Sequence, residues 1–141
     1  MTLYLHGLGH FHPENQITNR FLEELDIGTD EDWILDRVGI RSRRTVLSLD
    51  YIRDTRNRDP SQAMEASLYT HADTGVLATE MALERAGITT DAIGMFIAGS
   101  RRPGLSSPAD ACQIAAALGM EVPAFDMNSA CTSMWIALYM L

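Results

Sequence analysis

The segment PAFDMNSACTSMWIALYML, residues 123–141, joins an apolar stretch of strand length to an apolar stretch of helix length across a turn that carries Cys131. Residues 93–100, IGMFIAGS, form a second continuous apolar run, the pattern of a parallel strand that is covered on both faces. Between the two strands, a helix is predicted to begin with Ser107 as its cap and to end at Gly119. The order strand, helix, strand, helix predicts a right-handed parallel α/β layer with a buried last helix.

The sequence before this layer mixes helical, strand and irregular patterns. Residues 2–11, TLYLHGLGHF, alternate in a way that predicts a strand. Three helices are predicted over residues 15–25, 29–37 and 71–86. Thr29 is the expected cap of the second helix, while Gly39 and Gly87 are the expected stops of the second and third. Residues 47–69 are polar, which predicts an irregular excursion over the surface.

The composition is that of one ordinary globular domain, because 46% of the 141 residues are hydrophobic and 21% are charged. The net charge of -8 argues against a nucleic-acid partner, which requires a cationic surface. All eleven cationic residues are arginines, and a basic patch lies between Arg37 and Arg44. No stretch approaches the ~20 apolar residues that cross a bilayer, and the start lacks an export signal, so we predict a cytoplasmic protein without a membrane partner.

Cys131 is the first candidate for chemistry. It lies just beyond a predicted buried strand and in the first turn of a predicted helix, where an open α/β sheet presents groups to a ligand. Backbone N–H groups at that end of a helix favour the thiolate, which is the form that attacks a thioester carbonyl. The alternative is that Cys131 is a small buried apolar side chain. Cys112 and Cys131 are expected to be free thiols, because the predicted compartment is reducing.

The four histidines include none that a motif marks as a catalytic base. His6, His10 and His12 share one parity along the first predicted strand and could face one another across a metal, but no ligand cluster with zinc spacing accompanies them. We therefore predict that no metal is bound. The sequence ends inside a predicted helix without a cap or a following strand, so we expect a longer protein whose catalytic histidine lies beyond residue 141.

Trp33, Arg37 and Arg41 follow one another at a spacing of four, which places the first two on one helix face and the third beyond its end. An indole beside guanidinium groups can stack an adenine and hold its phosphates. The alternative is a half-buried tryptophan that is covered by arginine stems on a solvated face.

Three segments resemble the β-ketoacyl-acyl-carrier-protein synthase III family of condensing enzymes. They are TDEDWILDRVGIRSR at residues 29–43, PADACQIAAALG at residues 108–119 and PAFDMNSACTS at residues 123–133, and they occur in that family's order. The resemblance implies an α/β protein with a thiolase-like αβαβα fold, of which residues 1–141 supply most of the first half as an N-terminal half-domain. It also implies that the C-terminal half is absent and that residues 47–69 are an insertion.

The resemblance also assigns roles to single residues. Cys131 matches the acylated cysteine, and Trp33 and Arg37 match the residues that flank the adenine of coenzyme A. Arg41 fits the same coenzyme A segment by motif alone. The implied reaction is acylation of Cys131 and then decarboxylative Claisen condensation with a malonyl or β-ketoacyl thioester, in fatty-acid or secondary-metabolite synthesis.

The resemblance further implies that no cofactor is bound permanently, because coenzyme A and phosphopantetheine thioesters are substrates. Acyl carrier protein is the implied partner, and the whole enzyme is implied to be a homodimer. The family's catalytic His and Asn belong to its second half, so we expect the chain alone to be inactive. Two other functions stay open: a noncatalytic scaffold partner of the same fold, and an acyltransferase of the same fold that makes an ester or an amide.

Overall fold

The computed structural model describes residues 2–101 and 103–140 of the chain. These residues form two units. The small unit is His12–Tyr69, and the large unit combines Met1–Phe11 with Thr70–Leu141.

The small unit combines a short antiparallel strand pair with four helices. Its elements are β1 (Gln16–Thr18), α1 (Asn19–Glu24), α2 (Glu31–Val38), β2 (Ser42–Arg44), α3 (Leu49–Thr55) and α4 (Pro60–Glu65). The two strands pair antiparallel, with Ile17 opposite Arg43. The apolar core consists of Phe21, Leu25, Leu47 and Ile52. The helices predicted over residues 15–25 and 29–37 are therefore confirmed, although residues 16–18 belong to β1.

The caps of the small unit's helices explain where they begin. Asp30, and not the predicted Thr29, caps α2, since its carboxylate accepts the Trp33 N–H at 2.7 Å. Gly39 ends α2 in the left-handed conformation, as predicted.

The expectation of an irregular excursion over residues 47–69 is wrong. Ser48 caps α3 and Asp59 caps α4 through their side-chain oxygens. Leu47 and Ile52 bury their side chains against α1, which gives this polar segment its own apolar contacts. Two capped helices therefore form where composition alone indicated a loop.

The large unit contains the parallel α/β layer. Its elements are α5 (His71–Ala86), β3 (Phe96–Ser100), α6 (Asp110–Ala117), β4 (Ala124–Asn128) and α7 (Ser133–Met140), with 3₁₀ turns at Thr90–Ala92 and Ala130–Thr132. Strands β3 and β4 pair in parallel, and α6 connects them and packs against both and against α5. The predicted strand, helix, strand, helix order is confirmed, and α5 has the bounds that the sequence predicts.

The strand predicted over residues 2–11 is absent from the described structure. A strand needs a paired neighbour, and this segment instead lies along α5, where Arg85 Nη1 donates to the Leu8 carbonyl at 2.8 Å. Gly9 makes that path possible, because a Cβ at this position would collide with the backbone of Ala78 and Ala82 in α5.

The last helix, α7, forms as predicted but is mostly exposed within this chain. Trp135 is 68% exposed and Tyr139 is 92% exposed, because only one side of α7 packs on β3 and β4. The sequence predicts a buried helix, and the described residues bury only the side of α7 that packs on the two strands. Leu141, the last residue of the apolar run, lies outside the described residues. No helix in the described part of the chain is both long enough and apolar enough to cross a membrane.

Candidate functional site

Cys131 lies in a sharp turn between β4 and α7. The strand ends at Asn128, and the chain then passes through Ser129 into a 3₁₀ turn, Ala130–Thr132, before α7 begins. The predicted position in the first turn of an α-helix is thus corrected by two residues, since a single 3₁₀ turn precedes the helix. Ala130 has a φ of 47°, a left-handed conformation that costs a residue with a side chain about 1–3 kcal/mol.

Hydroxyl groups brace this turn. Thr132 Oγ1 donates to the Ser129 carbonyl at 2.7 Å and lies 2.9 Å from Ser129 Oγ. The Ser133 hydroxyl accepts the Ser129 N–H at 2.8 Å. It also lies 3.0 Å from the carbonyl oxygens of Ser100 and Ala130, to either of which it can donate.

The turn lies at the carboxyl ends of two parallel strands. Ser100 ends β3 beside Asn128 of β4, and the Ser100 hydroxyl donates to Asn128 Oδ1 at 2.7 Å. The Cys131 thiol is exposed there, so its interpretation as a small buried side chain does not hold for this chain. Cys112 is also a free exposed thiol, but it lies in α6, where its sulfur donates to the Ala124 carbonyl at 3.4 Å. Only Cys131 of the two has the strand-to-helix setting of a nucleophile.

Asp126 is a structural residue of this region that the sequence analysis did not single out. Its two carboxylate oxygens accept the N–H groups of Asp110 at 3.0 Å and Ala111 at 2.8 Å, at the start of α6. The predicted cap Ser107 is therefore wrong, because α6 begins at Asp110 and its cap hydrogen bonds come from the next strand. The signal available in the sequence was an acidic residue that lies between two apolar neighbours in this strand.

Asp110 itself is buried and joins three parts of the large unit. Its carboxylate accepts the Gly104 N–H at 3.0 Å and lies 3.2 Å from Nδ1 of His71, the first residue of α5. The loop before α6 is thus held to the beginnings of both helices.

Trp33, Arg37 and Arg41 all belong to the small unit. Trp33 and Arg37 share a face of α2, and Trp33 is 54% exposed, so about half of its surface is open to a ligand. Within the described part of the chain, the exposed side chains of Arg37 and Arg41 make no hydrogen bond or ion pair. The patch therefore has an aromatic face and two cations that an anionic ligand can use.

The other two arginines of the basic patch hold the fold. Arg43 donates to Asn19 Oδ1 at 2.9 Å, and Asn19, which is 1% exposed, donates from its amide to the Ile40 carbonyl at 2.8 Å. Arg44 donates to backbone carbonyls of Pro13 and Glu14 at 3.2 and 3.0 Å. These interactions fix the segment that follows α2.

The described residues contain no group of three or more His, Cys, Asp or Glu side chains that could hold a metal ion. His6 and His10 belong to the large unit and His12 to the small unit. These three histidines therefore do not lie on one strand, and their alternating positions do not place them on one sheet face.

Comparison with known proteins gives a consistent assignment. No family model matches the chain. The chain is 32% identical over 133 residues to a β-ketoacyl-acyl-carrier-protein synthase III of Xanthomonas campestris, and the alignment covers 94% of the chain and 35% of the relative. The chain thus spans about a third of that relative's length.

Solved structures agree in fold. A 3-oxoacyl-acyl-carrier-protein synthase III from Aquifex aeolicus superposes with a TM-score of 0.76 at 28% identity, over 95% of this chain and 37% of that one. A tetronic acid condensing enzyme superposes with a TM-score of 0.80 at 25% identity, over 99% of this chain and 38% of that one. By both sequence and fold, the chain matches the N-terminal third of β-ketoacyl-acyl-carrier-protein synthase III enzymes, which are thiolase-fold condensing enzymes.

Proposed function

We propose that this chain is the N-terminal half-domain of an acyl-thioester condensing enzyme in which Cys131 accepts the acyl group. One observation carries the proposal: the exposed Cys131 thiol lies in a strained, hydroxyl-braced turn at the carboxyl ends of β3 and β4. Ligands of open α/β sheets bind at that edge. The likeness to condensing enzymes over 94% of the chain supports the same assignment.

The proposed reaction has two steps. In the first, Cys131 Sγ attacks the carbonyl carbon of an acyl thioester, and the bond to the carrier sulfur breaks as the carrier leaves as a thiol. In the second, a malonyl or β-ketoacyl thioester acts as extender, and a β-ketoacyl thioester first loses its α-proton to a base from outside residues 1–141. When the extender is a malonyl thioester, it loses carbon dioxide, its α-carbon attacks the acyl-Cys131 carbonyl, and the Cys131 thiolate is released. The proposal assigns the Cys131 backbone N–H as one donor to the oxyanion of each tetrahedral intermediate.

Trp33, Arg37 and Arg41 are the proposed binding residues for the coenzyme A part of the donor. An exposed indole suits the adenine, and guanidinium groups without partners among the described residues suit the phosphates. The thioester is a substrate, so the proposal includes no permanently bound cofactor and no metal. It includes acyl carrier protein as partner, a cytoplasmic homodimer as the whole enzyme, and a His and an Asn from outside residues 1–141 as the remaining catalytic groups. It also treats residues 47–69 as an insertion.

Adduct mapping tests the proposal. The full-length protein is incubated with a labelled acyl thioester, and the labelled peptide is identified by mass spectrometry. We expect the label on Cys131, no label and no turnover in Cys131→Ala, and full labelling in the matched variant Cys112→Ala. Wild-type turnover in Cys131→Ala would contradict the proposal.

The same assay separates the other functions of this fold. A product that forms without a malonyl or β-ketoacyl thioester and carries the acyl group on an alcohol or amine would identify an acyltransferase. A folded protein that takes no label from donors of several chain lengths would identify a noncatalytic scaffold.

A further inference from the structure

The turn that carries Cys131 depends on one buried side chain, that of Ser133. Ser133 is 4% exposed, whereas Thr132 and Cys131 beside it are exposed. A buried hydroxyl must form hydrogen bonds, because leaving it or its partners unsatisfied destabilises the folded state. The hydrogen-bond partners of the Ser133 hydroxyl therefore show which parts of the chain this side chain holds in place.

Those partners lie on both sides of the strained residue. The Ser133 hydroxyl accepts the N–H of Ser129, which precedes Ala130, and it lies 3.0 Å from the carbonyl oxygen of Ala130 itself. It lies equally close to the carbonyl of Ser100, at the end of β3. Among the described hydroxyls of the turn, Ser133 is the one that also reaches the sheet, since Thr132 and Ser129 bond only within the turn.

Gly99 allows this approach. A Cβ at position 99 would lie 3.0 Å from Ser133 Cβ and 3.6 Å from the Met127 carbonyl oxygen, and the first distance is shorter than most contacts between carbon atoms that are not bonded. A side chain at residue 99 would therefore displace Ser133, the first residue of α7, from its present place against β3.

We propose that Ser133 is a positioning residue for acyl transfer to Cys131, acting through the turn that it ties to β3 and without touching the acyl group. This inference rests on the proposed role of Cys131. It assigns to Ser133 and Gly99 a shared effect on where the Cys131 thiol and N–H lie relative to the donor.

Single-turnover acylation of the full-length protein tests the inference. In Ser133→Ala we expect the acylation rate at saturating donor to fall about 10- to 100-fold, because a small misplacement of a reacting atom has an effect of that order. The donor concentration at half-saturation should stay within twofold. Gly99→Ala, which keeps the hydroxyl but displaces it, should give the same pattern.

Two controls separate positioning from loss of stability. Ile114→Val, in the α6 core, should lower the melting temperature without changing the acylation rate of the folded protein, and Ser61→Ala, on the exposed face of α4, should change neither. Wild-type acylation rates in both Ser133→Ala and Gly99→Ala would overturn the inference and leave the proposed function standing.

Alkylation gives a readout that does not depend on the proposed function. Iodoacetamide labelling of Cys131 relative to Cys112 is measured in the same molecules by peptide mass spectrometry. We expect this ratio to fall at least fivefold in Ser133→Ala and in Gly99→Ala. If the wild type took no acyl label, the proposed function would fail and acyl transfer with it, but the alkylation ratio would still test the structural part of the inference: an unchanged ratio would show that Ser133 does not hold the Cys131 thiol in place, and a fivefold fall would show that it does.

Discussion

At the scale of single residues, the same residue type performs different tasks according to its partners. Arg43 and Arg44 are tied to Asn19 and to backbone carbonyls, whereas Arg37 and Arg41 have no partner in the described part of the chain. A sequence pattern cannot make this distinction, because the partners lie more than twenty residues away along the chain. The coenzyme A role is accordingly proposed for the second pair alone.

Trp33→Ala and Arg37→Ala should each raise the KM for an acyl-coenzyme A donor about tenfold and leave kcat unchanged, because a stacked ring or a charge-assisted hydrogen bond contributes about 1–3 kcal/mol. Steady-state kinetics with the full-length enzyme measures this. The same variants assayed with an acyl-pantetheine donor, which lacks adenine and its phosphates, should behave like the wild type. Arg20→Ala, which removes an exposed arginine of α1, is the control. An equal loss with both donors would contradict the assignment.

At the scale of elements, the beginnings of helices α1 to α6 are set by hydrogen bonds to their first N–H groups. Thr18, Asp30, Ser48, Asp59 and Thr70 each cap the helix that follows them in sequence. Helix α6 is different, because its first N–H groups bond to a carboxylate of β4. The sequence predicts that a polar residue just before a helix caps it, although Asp30 and not Thr29 caps α2. It does not predict the acceptor for α6, which comes from a later strand.

Asp126→Ala should lower the free energy of unfolding by about 1–2 kcal/mol, because it removes both acceptors from the start of α6. Urea denaturation followed by circular dichroism measures the change. Glu121→Gln, at an exposed position before β4, is the control for loss of one negative charge and should have little effect. Equal urea midpoints for Asp126→Ala and the wild type would contradict the prediction, because they would show that water can replace the carboxylate without loss of stability.

The start of α5 should make stability depend on pH. Asp73 and Thr70 form a capping box, and the hydrogen bonds from the Thr70 N–H and hydroxyl hold the pKa of Asp73 below its ordinary value of 3.8. A carboxyl with a lowered pKa stabilises the folded state above its unfolded pKa, and this contribution is lost as the pH falls through the folded pKa.

Asp73→Asn should therefore have a lower urea midpoint than the wild type at pH 7, and the difference should shrink as the pH falls below 3.8. Urea titrations at a series of pH values measure both effects. Glu80→Gln, at an exposed position of the same helix, is the control for charge. A difference that stays constant down to pH 2 would contradict the prediction.

At the scale of the whole molecule, the chain makes two units of different character. In the small unit, the Tyr69 hydroxyl donates to Glu14 Oε1 at 2.8 Å, so that residues near its two ends are joined. The Glu14 backbone N–H and the Tyr69 hydroxyl lower the pKa of Glu14, and the carboxylate in turn raises the pKa of Tyr69. In the large unit, by contrast, α7 leaves most of its apolar side chains exposed.

Residues 1–141 expressed alone should therefore self-associate or precipitate, because exposed apolar surface of this kind drives association. The exposed side chains of α7 are Met134, Trp135, Leu138, Tyr139 and Met140. Replacing Met134 and Trp135 together by Glu should shift the sedimentation profile toward the monomer. Ile27→Glu, at an exposed apolar position of the small unit, is the control and should change it little. A monodisperse wild-type fragment would contradict the prediction.

The sequence by itself determined the parallel strands, helix α5 and the place of Cys131 between a strand and a helix, because periodicity, glycine stops and capping residues act between near neighbours. It predicted the family from three ordered segments. Only the tertiary structure decided that residues 2–11 lie on α5 without forming a strand, that residues 47–69 form two helices, and that Ser133 holds the Cys131 turn. These outcomes depend on pairing, burial and hydrogen bonds between segments far apart in the chain, which no local pattern encodes.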